Sequence, residues 1–187
     1  MYNSQFGEDK WVHENIALPK KGVFVDVGAG DPVTFSNTYL FEKLGWKGLC
    51  VDADSRHIQN LKSKRSCHVV HGQVGTVARD VIECKDPDYT GTMPFFEGEK
   101  KQVEHFTLGK LLRVYNIKKI DLLSIDVEGT EIDVFESFNY EKHPVSTLIV
   151  EYKTARLDSA ENTVKRYFEE KGFTLRHKTE ANYIFTY

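Results

Sequence analysis

The sequence predicts an α/β fold: a doubly wound, mostly parallel sheet closed by a C-terminal antiparallel hairpin. Three observations predict it. Short β-branched apolar runs alternate with amphipathic helical segments along most of the chain. The first run, Val23 to Val27, stops at Gly28-Ala29-Gly30, as a buried parallel strand does when it enters a tight turn. The last two runs, Phe173 to Arg176 and Asn182 to Tyr187, read as the hairpin. Strand–helix alternation of this kind requires right-handed crossovers and helices on both faces of the sheet.

The elements follow in order. Residues 1–21 precede the sheet and read as a helical segment or lid, with Met1 to Lys10 too polar for a secretion signal. After the glycine turn, Ser36-Asn37-Thr38 supplies capping residues. Leu40, Phe41 and Leu44 then make a helical face that Gly45 ends. Gly48 to Val51 is a second buried strand, and Ser55 is placed to cap a helix running through Ile58 and Leu61 to Lys64. Cys67 to His71 is a third strand. Residues 75–106 break the rhythm with mixed polarity, Pro87, Pro94, Gly91 and Gly98, and read as an acceptor loop. Tyr89, Phe95 and Phe96 in it could stack on a sugar ring or pin the loop down. Thr107 to Tyr115 is helical and Ile120 to Val127 a fourth strand. Thr130-Glu131-Ile132-Asp133 then has the form of a capping box, opening a helix with Ile132, Phe135 and Phe138 inward. Val145 to Tyr152 is a fifth strand, and Val164, Tyr167 and Phe168 mark a last helix stopped at Gly172.

Composition is that of an ordinary globular chain: 187 residues, 40% hydrophobic, 28% charged, net charge −3. This length suits a single domain with a substantial core. An acidic balance gives no general attraction to nucleic acid or anionic lipid. Cys50, Cys67 and Cys84 are odd in number and lack CxxC spacing, which suits reduced thiols in the cytoplasm. No stretch approaches the roughly 18 apolar residues of a membrane span. Oligomeric state is not legible.

Ligands of open α/β sheets bind where strand ends converge. Asp26, Gly28, Gly30, Asp52, Asp54, Asp126 and Glu128 should therefore line one crevice, with Gln73 near the third strand's end. Asp52, about twenty residues past the glycine turn, is placed to accept both hydroxyls of a ribose. A dinucleotide would want a third glycine three residues after Gly30, where Val33 stands, and Asp31 would repel phosphates. S-adenosylmethionine has no phosphate and carries an ammonium that Asp26 could hold. It is the better expectation than NAD.

Several blocks resemble the FkbM family of S-adenosylmethionine-dependent methyltransferases. They are Ser4-Gln5-Phe6-Gly7-Glu8-Asp9, Phe24-Val25-Asp26-Val27-Gly28-Ala29-Gly30, Ser36-Asn37-Thr38, Gly45-Trp46-Lys47-Gly48-Leu49 and the diagnostic run from Ile120 to Glu131. The resemblance implies a class I, Rossmann-like methyltransferase fold and O-methylation of a sugar or related small-molecule or glycan hydroxyl. By position it implies Asp26, Gly28 and Gly30 in the methionine-binding turn with Asn37 and Thr38 behind it. Asp52 would take the ribose, and Asp126 and Glu128 would flank the acceptor. Asp52-Ala53-Asp54 departs from the Glu-Pro-Asn common in the family. The resemblance also suggests Gln5, Glu8 and Asp9 as a lid, where composition alone allows a solvated helix.

Methyl transfer needs the acceptor oxygen aligned and its proton taken. Asp126 and Glu128 could serve as the base. Together with Glu131 or Glu151 they could instead hold a divalent cation such as Mg²⁺ that acidifies the hydroxyl, or they could merely cap the next helix. The histidines show no metal-ligand spacing. Two other readings compete: an RNA ribose 2′-O-methyltransferase, against which the acidic balance stands, and a non-catalytic binding domain, against which stands the full set of strand-end acids.

Overall fold

A computed structural model describes residues 2–84, 90–91, 98–153 and 160–187. Its centre is a seven-stranded sheet built from β1 (Val23–Val27), β2 (Lys47–Asp52), β3 (His68–His71), β9 (Ile120–Ile125), β10 (Val145–Glu151), β11 (Thr174–Lys178) and β12 (Asn182–Thr186). The strand order is β11-β12-β10-β9-β1-β2-β3. Strands β1, β2, β3, β9 and β10 pair in parallel, and β12 runs antiparallel to both β10 and β11. The mostly parallel sheet and its antiparallel closing hairpin are thus as the sequence predicts. The chain leaves β1 toward β2 on one side and later returns to β9 on the other, so a crevice opens at their carboxyl ends.

Alternation along each strand sends side chains to two cores. Val25, Val27, Leu123, Ile125, Leu148 and Val150 face one side. There they meet α4 (Leu108–Val114), α5 (Glu131–Glu136) and α6 (Ala160–Glu170) through Leu112, Phe135 and Phe168. Phe24, Cys50, Leu122 and Ile149 face the other side. They are covered by α1 (Glu8–Asn15), α2 (Tyr39–Lys43) and α3 (Ser55–Lys64) through Val12, Phe41 and Leu61. Sheet strands buried on both faces explain why they read as continuous apolar runs.

Three local expectations need correction. Asp54, not Ser55, caps α3: its carboxylate accepts from the Arg56 N–H at 2.8 Å. No capping box forms at α5. The Asp133 carboxylate turns away to Thr76 and Arg79, and Val134 replaces Ile132 on the buried face beside Phe135 and Phe138. The described residues of the segment from 75 to 106 include short strands rather than loop alone. β5 (Val81–Cys84) pairs antiparallel with β6 (Thr90–Gly91) and β7 (Gly98–Lys101), while β4 (Gln73–Val74) pairs in parallel with β8 (His105–Phe106). Pro87, Tyr89, Pro94, Phe95 and Phe96 lie outside the described residues. Among the described residues no helix is long and apolar enough to cross a membrane.

Candidate active site

A cleft of about 450 Å³ lies at the carboxyl ends of β1, β2, β9 and β10, within the size range of small-molecule sites. Gly28, Gly30, Asp52, Gln73, Asp126 and Glu128, all expected there, line it. Gly28 has φ +80°, and a Cβ on it would lie 1.6 Å from the Asp126 carbonyl oxygen. The sequence expects this glycine to admit a ligand; it admits the end of β9. Gly30, at φ +56°, has nothing within 4 Å of where its Cβ would be and opens on the cleft.

The Asp52 carboxylate is fixed by its own loop. Oδ2 accepts from the Gly30 N–H and Oδ1 from the Asp54 N–H, each at 2.7 Å. A carboxylate offers about four acceptor directions, so two remain for ligand hydroxyls. His57 Nδ1 lies 3.4 Å from Asp52 Oδ1, and that neighbouring carboxylate holds the imidazole pKa above its ordinary value. His57 lines the cleft too. A signal for it existed: it lies in the first turn of the helix that Asp54 caps. Gln73 clamps the chain from within, its Oε1 accepting from the Arg79 N–H at 2.7 Å and its Nε2 donating to the Arg79 carbonyl at 2.5 Å.

Asp26, Asn37 and Thr38 lie behind the turn rather than on the cleft wall. Asp26 is 3% exposed and accepts from Thr38 Oγ1 at 2.5 Å, while Asn37 Nδ2 donates to Ser124 Oγ at 3.1 Å. Burial pushes the Asp26 carboxyl above its usual range, and the charge of Arg65 opposes it. Arg65 is itself buried. It donates to Thr38 Oγ1 at 3.0 Å and pairs with Glu42 at 2.6 Å, a support that the sequence offers no sign of. Asp54 is the clearest correction. Fully buried, it gives its carboxylate to the α3 cap and to Arg56, two residues from Asp52 yet turned away from the cleft.

The N-terminal acids are fasteners. Glu8 accepts from Phe6 N–H at 3.0 Å, Thr179 Oγ1 at 2.8 Å and Asn182 Nδ2 at 2.9 Å, tying α1 to the closing hairpin. Asp9 accepts from the Asn3 N–H and Ser4 Oγ. Gln5 and Phe6 reach the cleft instead, as does the exposed Phe35, held at φ 63° beside Ser4.

At the β9 and β10 ends four acids meet. Burial, then the charges of Glu128 and Glu131, push Asp126 up to about 8. Burial, then Glu131, push Glu128 up to about 7. Glu151 is also raised, by burial and then by the charges of Asp126 and Glu128 beside it. Glu128 sits at φ 59°, a conformation that a non-glycine residue rarely adopts and that concentrates at functional sites.

The same frame is found elsewhere. A TehB-like S-adenosylmethionine-dependent methyltransferase from Corynebacterium glutamicum is 12% identical with a TM-score of 0.54, covering 98% of this chain and 89% of that one. Fibrillarin, from its complex with Nop5p, is 15% identical with a TM-score of 0.54, covering 98% and 80%. At these identities the likeness is one of fold. No curated protein matches the chain. The methyltransferase FkbM domain matches residues 26–175, from the acid of β1 into β11. The chain therefore belongs to the FkbM methyltransferase domain family and is an S-adenosylmethionine-dependent methyltransferase.

Proposed function

We propose that this single domain methylates a hydroxyl oxygen of a sugar or related small molecule or glycan. The observation that carries the reading is the convergence, on one cleft, of a fixed ribose-type acceptor and a set of carboxylates beside it. S-adenosylmethionine, when bound, supplies a methyl group on a positively charged sulfur, an electrophile that an acidic cleft favours. Asp52 would take the ribose hydroxyls through its two remaining acceptor directions, and Gly30 would leave the room its missing Cβ opens. Gln73 would hold the wall, and Asp126 would face the cofactor's charged end. Asp26, Asn37 and Thr38 would act from behind by keeping the turn in place, and the Asp54 backbone N–H, not its side chain, would hold Asp52. Glu128 has a buried carboxylate oxygen, Oε2, without a hydrogen-bond partner. The acceptor oxygen would take the methyl carbon as its bond to sulfur breaks with the pair left on sulfur, and Glu128 or Asp126 would receive the acceptor proton. A cytoplasmic setting belongs to the proposal, resting on three cysteines, odd in number and without CxxC spacing.

The test is calorimetric titration with S-adenosylhomocysteine, beside NAD, for the wild type and Asp52→Ala, followed by methyl transfer to a panel of carbohydrate hydroxyls. Two hydrogen bonds to a charged group, at about 1.5–3 kcal/mol each, predict a loss on the order of a hundredfold or more in the variant. Unchanged affinity in Asp52→Ala would sink the cofactor geometry. Methyl transfer confined to nitrogen or carbon acceptors would sink the hydroxyl reading.

A further inference from the structure

Four carboxylates meet at the carboxyl ends of β9 and β10, and the fold treats one of them differently. Glu131 is satisfied by its own loop, with Oε1 accepting from the Gly129 N–H at 2.8 Å and the Val127 N–H at 3.3 Å. Asp126, Glu128 and Glu151 are not satisfied in this way. Each offers one oxygen, and the three oxygens lie within 4.8 Å of one another. Oε2 of Glu128 and Oε2 of Glu151 are buried with no hydrogen-bond partner, and Glu151 as a whole is only 7% exposed. Among the described residues no lysine or arginine forms an ion pair with any of the three. Buried acceptors without a donor are costly, and native folds almost always supply a partner.

The frame that carries them is rigid. Asp126 follows β9 and Glu151 ends β10, and these strands pair in parallel with Val150 opposite Ile125. Left-handed backbone at Glu128 (φ 59°) and Gly129 (φ 113°) turns the chain after Asp126 and brings Glu128 back to the other two. Three hard anionic oxygens, with no sulfur or imidazole among them, suit a hard divalent cation.

We infer that Asp126, Glu128 and Glu151 form a binding site for one divalent cation, Mg²⁺ or Mn²⁺, at the acceptor side of the cleft. Three carboxylates and one divalent cation still sum to a negative charge, so the site stays compatible with a cationic cofactor. Only the cation's role rests on the hydroxyl-methylation reading: there it would draw the acceptor oxygen in and lower the hydroxyl's pKa. Its binding does not depend on that reading.

The experiment is a Mn²⁺ titration followed by the electron paramagnetic resonance of free Mn²⁺, on the wild type, Glu151→Gln and Glu128→Gln. Mg²⁺ serves as competitor, with calorimetry of S-adenosylhomocysteine and thermal melts alongside. One Mn²⁺ per chain, displaced by Mg²⁺ and weakened at least about tenfold in each folded variant, is the expected result. Glu128, the less buried of the two, keeps the test open should Glu151→Gln fail to fold. A wild type that binds S-adenosylhomocysteine but no Mn²⁺ overturns the cation site and leaves the methyltransferase reading intact. Mn²⁺ binding unchanged in both variants also overturns it. Mn²⁺ binding as expected in a protein that ignores S-adenosylhomocysteine upholds the site and counts against the proposed cofactor geometry alone.

Discussion

Gly28 and Gly30 are two residues apart, both left-handed, and the structure gives them different work. A Cβ on Gly28 would stand 1.6 Å from the Asp126 carbonyl oxygen and 2.7 Å from its carbon, both backbone atoms with no rotamer to escape into. An ordinary carbon–oxygen approach is about 3.3 Å, so the end of β9 would have to withdraw by roughly 1.7 Å. That breaks the bond from the Asp126 N–H to the Val27 carbonyl, 2.9 Å, and loosens the one from the Gly28 N–H to the Val51 carbonyl, 2.9 Å. At about 1 kcal/mol for each bond, plus about 1 kcal/mol for alanine in a left-handed conformation, Gly28→Ala should lose about 3 kcal/mol. For a chain of this size that lowers the melting temperature by roughly 6–12 °C. Gly30→Ala meets no atom within 4 Å, so it should lose only the conformational part, about 1 kcal/mol and a few degrees. Its methyl group enters the cleft, however, and should weaken S-adenosylhomocysteine binding by at least about tenfold, roughly 1.4 kcal/mol. Thermal melts and calorimetry on both variants decide the matter. Gly28→Ala melting within a degree or two of wild type, or below-wild-type stability concentrated in Gly30→Ala, would refute the reasoning.

Other consequences follow from the residues behind the cleft. Arg65→Met leaves Glu42 without its 2.6 Å partner and Thr38 without a donor, and should cost about 3–5 kcal/mol in urea unfolding; a loss under about 1 kcal/mol would show the pair to be dispensable. Burial alone would raise the Glu42 carboxyl, but the Ser66 N–H and Arg65 outweigh it and hold it below its ordinary value. Its contribution is therefore full above the ordinary carboxylate range and lost as pH falls through the depressed folded value, so Glu42→Gln should flatten the acid limb of a stability–pH curve. Asp54→Ala should cost about 1 kcal/mol as a lost helix cap while leaving S-adenosylhomocysteine affinity within about twofold. Calorimetry showing a loss like that of Asp52→Ala would place Asp54 in the site after all.

Much of this fold was legible because its strands are buried on both faces and end in residues with few other reasons to be there. Val23 to Val27 followed by two glycines is a strand and a turn at almost any level of analysis, and the parallel order follows from strand–helix alternation. The side-chain destinations were harder. Asp52 and Asp54 are both strand-end acids in sequence, but one points at the glycine turn and the other caps a helix. The capping rule, applied to Asp54 followed by a ten-residue amphipathic helix, could have separated them. Glu8 carried no such signal. In a polar N-terminal segment it reads as solvated, and only contacts 171 and 174 residues away make it a buried fastener. The strands between 75 and 106 are two to four residues long, too short for any period to emerge.

The acidic cluster shows why spacing alone stops short of chemistry. From sequence, Glu131 and Glu151 were equal candidates to join Asp126 and Glu128. Their local environments break the tie. Glu131 opens a helix, and free N–H groups just before it fold back onto its carboxylate. Glu151 ends a strand whose register beside β9 is fixed by Val150 opposite Ile125, so its carboxyl arrives next to Asp126 with no backbone donor to receive it. Parallel pairing brings the two acids together across 25 residues of chain that no sequence period connects. The carboxylate that the backbone satisfies is the structural one; those it leaves unsatisfied are the ones available to a ligand.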